Sequence, residues 1–85
     1  VACANESKET LMAKVAQKAP DFGAASVSTL DGVRLEFGDS WLLIRASGTE
    51  PVIRVLAESP SASATAGLID KGVKLVQSFV SGGGQ

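Results

Sequence analysis

Asp31-Gly32, set between Ser26-Val27-Ser28-Thr29-Leu30 and Val33-Arg34-Leu35-Glu36-Phe37, constrains the fold of this chain more than any other feature. A two-residue link of this type adopts the left-handed turn whose twist matches that of paired antiparallel strands, so the flanking runs predict a tight hairpin. Alternation puts Val33, Leu35 and Phe37 on one face. Gly38-Asp39 then makes a second turn into Ser40 to Arg45. Trp41, Leu42, Leu43 and Ile44 predict a central strand there with apolar contacts on both faces, and Trp41 is read as core rather than as a ligand platform. Pro51 fixes the next connection before a fourth strand over Val52-Ile53-Arg54-Val55-Leu56-Ala57-Glu58.

The period changes from two to 3.6 at both ends of this strand group. From about Glu6 to Ala19, the apolar residues Leu11, Met12, Val15, Ala16 and Ala19 fall on one helical face, with Asn5 or Ser7 as cap and Pro20 as terminator. Lys8, Lys14, Gln17 and Lys18 are read as its solvated face. After Ser59-Pro60, a second helix follows from Leu68, Gly72, Leu75, Val76 and Phe79, widened by Ile69, Val73 and Val80 and capped by Ser61 or Ser63. The order helix, four strands, helix predicts an α+β domain over residues 1–80 and a flexible glycine-rich tail over 81–85.

Composition excludes several function classes. A chain of 85 residues buries roughly 60 to 65% of its unfolded surface, enough for a sheet packed on helices but not for a large enclosed active site. No apolar run approaches the roughly 20 residues that cross a bilayer, so no membrane partner is predicted. Eight basic against nine acidic residues give a formal charge of −1, which offers nucleic acid no general attraction. The absence of histidine rules out a Ser-His-Asp triad and the commonest catalytic metal sites within the chain. Cys3 is the single cysteine, so an intramolecular disulfide is impossible, and its place near a terminus argues against a nucleophile. A first residue Val1 with Met12 as the single methionine predicts a piece excised from a longer protein.

The chemistry concentrates in Arg45-Ala46-Ser47-Gly48-Thr49-Glu50-Pro51, followed by Arg54. A phosphate monoester presents several anionic oxygens around a tetrahedral centre, and a guanidinium fork, short hydroxyls and exposed amides engage them together. Gly48 is expected to use positive φ to turn successive N–H groups toward one anion. A carboxylate facing that anion would repel it, so Glu50 is expected to hold an arginine or a loop amide, or to face solvent. Alternation also offers Arg54 to Glu36 or Glu58 as an ordinary ion pair on the sheet.

Asp31-Gly32-Val33, the strand bearing Trp41, the run Arg45 to Pro51 and Ile53-Arg54-Val55 before an Ala-rich helix resemble, in that order, the C-terminal domain of the phosphohexomutases. The resemblance runs from about Asp31 to Val80, with a weaker helix match before it. It implies the last of four domains, a TATA-binding-protein-like fold of four antiparallel strands with flanking helices. It makes Arg45, Ser47, Gly48 and Thr49 the direct contacts to the substrate phosphate and Arg54 a second cation at the same site, with no catalytic residue in this piece. The parent enzyme would move a phosphoryl group between the 1- and 6-positions of a hexose through a phosphoserine and a bisphosphorylated sugar. The phosphoserine loop, the magnesium loop and the sugar-recognition loop would lie in the other three domains. The piece alone is therefore expected to be inactive and to need no cofactor, with Mg2+ bound elsewhere in the parent. Its expected partners are the phosphosugar and those three domains, in the cytoplasm. The alternative is a stand-alone phosphate-recognising or protein-docking module. Glucose, mannose and glucosamine phosphates all stay open, because the family reads the hexose mainly outside this segment.

Overall fold

The computed structural model describes residues 1–83, with side chains to Val80. Helix α1 (Lys8–Lys18) is entered through a 3-10 turn at Asn5–Ser7 and left through another at Ala19–Phe22. Strands β1 (Ser26–Ser28), β2 (Val33–Glu36), β3 (Trp41–Ala46) and β4 (Ile53–Glu58) follow, and helix α2 (Ala62–Gly83) closes the order. The strands form one antiparallel sheet in chain order, β1-β2-β3-β4, as the α+β reading expects. Helical backbone continues to Gly83, so part of the expected tail is helical, and residues 84 and 85 lie outside the described residues.

Each element ends where its residues dictate. Pro20 sits in the 3-10 turn after α1, and Gly23 beyond it takes the left-handed conformation, the usual way to end a helical run. Ser61 caps α2 by accepting the Ala64 N–H at 3.1 Å, while Ser7 before α1 makes no such side-chain bond. Gly32 carries φ +81°, and a Cβ there would lie 2.6 Å from the Ile44 carbonyl oxygen. The hairpin turn therefore lies flat against β3 only because position 32 has no side chain.

Both helices lie on one face of the sheet, α1 against β2 and β3 and α2 against β3 and β4. Alternation sends Val33 and Leu35, Leu42 and Ile44, and Ile53 into the interface, where they meet Leu11, Val15 and Val76. Gly72 lets α2 lie close on the strands, since a Cβ on it would meet Val55 Cγ1 at 2.7 Å and Leu42 Cδ1 at 3.1 Å.

The sheet differs from the sequence reading in three places. β1 stops at Ser28, so residues 29–32 join it to β2, with Ser28 opposite Arg34 and with positive φ at Gly32 but not at Asp31. This is a longer link than the two-residue Asp31-Gly32 turn expected, and Leu30 within it is 98% exposed. Trp41 is not core: it lies on the open face of β3, half-buried, with the Arg34 guanidinium 4.5 Å from its ring centroid. An aromatic under a cation is satisfied there by the attraction between charge and ring face. The third difference is an edge. Val1 exchanges backbone bonds with Ile53 at 2.8 and 2.7 Å, and the Cys3 N–H reaches the Pro51 carbonyl at 2.8 Å. Three residues show no period, so this added pairing has no sequence signal.

Candidate functional site

The register of β3 and β4 sets Arg45 directly opposite Arg54. Both follow the alternation that buries Ile44 and Ile53, so both emerge on the face that the helices leave open. Like charges directly opposite in a sheet repel. Here each guanidinium has its own carboxylate: Arg45 Nε lies 3.7 Å from Asp31 in the β1–β2 turn, and Arg54 Nη2 donates to Glu50 Oε1 at 3.0 Å. Both pairs are solvated, and such pairs are weak enough for a ligand to displace. Glu50 thus holds an arginine, one of the three placements expected from its charge. Arg54 turns to Glu50 rather than to Glu36 or Glu58, and Glu36 pairs with Arg34 instead.

Ser47 to Val52 connect the two arginine strands. The Ser47 N–H bonds the Val52 carbonyl at 3.1 Å and the Val52 N–H bonds the Glu50 carbonyl at 2.8 Å, closing the loop on itself. Ser47 is the buried polar residue among the described core. Its Oγ accepts the Thr49 and Glu50 amides at 3.4 and 3.2 Å, which leaves the hydroxyl proton available for donation. The Thr49 and Glu50 amides are thereby engaged within the loop. Gly48 and Thr49 are exposed.

Gly48 departs from expectation. Positive φ occurs at Gly23, Gly32 and Gly38 but not at Gly48, and no heavy atom lies within 4 Å of a Cβ built there. The protein itself therefore does not demand glycine at this position. What glycine provides is open access to the backbone from outside.

Lys8 is the site residue that the helical pattern hid. Read as part of a solvated face, it instead crosses from the first turn of α1 to the loop, where its ammonium donates to the Ser47 and Glu50 carbonyls at 2.5 Å each. The helical period gives the side of α1 on which a residue stands, but not which distant loop it meets. A shallow cleft of about 370 Å³ opens between α1, the hairpin turn and the loop, with Asp31, Arg45 and Gly48 on its walls. Among the described residues, no three His, Cys, Asp or Glu side chains gather to hold a metal ion. No helix among the described residues is long and apolar enough to cross a membrane.

Fold and site together define a class: an α+β domain with helices on one sheet face and, on the other, paired arginines at the base of a hydroxyl-bearing loop. Residues 1–75 match the family described as phosphoglucomutase/phosphomannomutase, C-terminal domain. The chain belongs to this phosphohexomutase family, as its C-terminal domain. The match includes α1, ahead of the motifs that carry the resemblance in sequence. The chain is 37% identical over 81 residues to a probable phosphoglucosamine mutase of Pyrococcus horikoshii, covering 94% of this chain and 18% of that protein. It is 37% identical over 75 residues to a phosphoglucomutase/phosphomannomutase of Thermococcus kodakarensis, covering 88% of this chain and 16% of the relative. Identity to a phosphoglucosamine mutase of Methanococcus aeolicus is 39% over 75 residues, 88% of this chain and 17% of the other. The chain thus spans under a fifth of the length of these relatives.

Proposed function

We propose that this domain supplies the substrate-phosphate loop of a cytoplasmic phosphohexomutase that interconverts hexose 1-phosphate and hexose 6-phosphate through a bisphosphorylated sugar. Residues 45–51 clamp the phosphate that is not being transferred. The observation that carries the reading is the placement of Arg45 opposite Arg54 at the mouth of the loop. Two guanidiniums set side by side, each held by a solvated carboxylate, suit an incoming dianion that relieves their repulsion. Arg45 and Arg54 supply charge-assisted donors, the Thr49 hydroxyl and Gly48 amide add neutral ones, and Ser47 keeps a free hydroxyl proton.

The one carboxylate of the loop, Glu50, is held by Arg54, and the groups left toward a ligand are donors, so the loop's contribution is orientation rather than bond making. Activity belongs to the whole enzyme, and this segment alone is inactive. Because the loop recognises a phosphate rather than the sugar ring, it accepts either end of the bisphosphorylated sugar as the hexose reorients.

A titration tests the reading. Amide shifts across Arg45 to Arg54 are followed with glucose 6-phosphate, glucose 1-phosphate and inorganic phosphate, with glucose as control. Saturable shifts with each phosphate and none with glucose are expected. Arg45→Ala weakens that binding by about tenfold or more, while the Leu42 and Ile44 amides stay where they are. Equal affinity in the variant would remove Arg45 from the site.

A further inference from the structure

We infer that Lys8 is the positioning residue of this loop: it holds the backbone so that donors, not carbonyls, face the phosphate. The inference rests on the phosphate-loop reading above and extends it to a residue in a different element, 39 positions from Ser47. Lys8 donates to two carbonyls, those of Ser47 and Glu50, which bracket the exposed Gly48 and Thr49.

The peptide geometry gives each contact a separate consequence. In a trans peptide unit, C=O and N–H point in opposite directions. Drawing the Ser47 carbonyl toward α1 therefore turns the Gly48 N–H away from α1, in a residue that is itself exposed. The Glu50 carbonyl belongs to the bond before Pro51, a unit with no N–H at all. That carbonyl already accepts the Val52 N–H, and the Lys8 ammonium adds a charged donor to the same oxygen, which draws its negative end toward α1.

Charge supplies the second half of the argument. Arg45 and Arg54 each face a carboxylate, but no carboxylate pairs with Lys8 among the described residues. Its charge is balanced by carbonyl dipoles alone, so a net positive field persists at the loop. The other lysines that stand with it in the helical pattern lack this role: Lys18 pairs with Asp21, and Lys14 is exposed on the helix surface.

The test compares the unaltered chain with Lys8→Met, which keeps the apolar stem and loses the donors, and with Lys8→Arg, which restores them. Amide hydrogen exchange at Thr49 and Glu50 is read first, without ligand. Lys8→Met should speed it about fivefold, because two charge-assisted bonds that hold the loop are gone. Inorganic phosphate is then titrated, and the same variant should bind about tenfold more weakly. Lys8→Arg should return both readings most of the way, and the Leu42 and Ile44 amides should not change in either variant. Where Lys8→Met fails to fold, Lys8→Gln, with a neutral donor, is read against the same criteria. Loop exchange and phosphate affinity that are unchanged by Lys8→Met overturn the inference. Absence of any phosphate response both in the unaltered chain and in the full-length parent enzyme sinks the phosphate-loop reading and this role with it, whereas a response that survives Lys8→Met unchanged sinks the role of Lys8 alone.

Discussion

The two faces of the same strands do different work. On the helix side, Leu42, Ile44 and Ile53 are at most 1% exposed, and close-packed side chains there resist any change of volume. On the open side, the next residues along those strands are Arg45 and Arg54, solvated and held by single ion pairs. A period of two makes this separation possible, since neighbouring residues share a backbone but not an environment. Stability and binding can therefore be altered one residue apart with little crosstalk.

That contrast is open to attack, beginning with its strongest side. Leu42→Ala should cost about 3 kcal/mol, the usual penalty for removing a fully buried leucine. Denaturant unfolding measures it, and a loss below about 1 kcal/mol would mean that the helix-side packing is looser than the structure describes. Gly32→Ala comes next, at about 2 kcal/mol, because it forces an L-residue into positive φ with its Cβ against the Ile44 carbonyl. This variant joins the two faces, since the turn it distorts also carries Asp31. Its phosphate affinity should change along with its stability, and a change in stability alone would uncouple the turn from the site.

The smallest effect is the most specific. Asp31→Asn removes the carboxylate 3.7 Å from Arg45 and should raise phosphate affinity about threefold with no change in unfolding midpoint, as expected for an exposed ion pair. A fall in affinity would instead make Asp31 a support that aims the guanidinium. Raising ionic strength sharpens the same distinction, because it screens the solvated pairs while leaving the buried face untouched.

Much of this molecule is legible in its sequence because local rules govern it. Asp31-Gly32 marks the bend between β1 and β2 but not the length of the link, alternation separates Val33 and Leu35 from Arg34 and Glu36, and a 3.6-residue period outlines both helices. The charge on Glu50 limits it to an arginine, a loop amide or solvent, and the structure gives the arginine. Trp41 shows where such rules stop. A large aromatic in an apolar run reads as core, but its face is set by register, and register put it beneath Arg34.

What the residues determined by themselves is the set of elements, the alternation along the strands and the donor groups of the loop, all of which follow from patterns near in sequence. Tertiary structure alone decided that Arg45 faces Arg54, that Val1 to Cys3 extend the sheet edge, and that Lys8 reaches across 39 residues to hold the loop carbonyls. Periodicity records which side of an element is apolar, but not which distant backbone a polar side chain will meet. Only the packing of α1 against the sheet brings that ammonium to the loop.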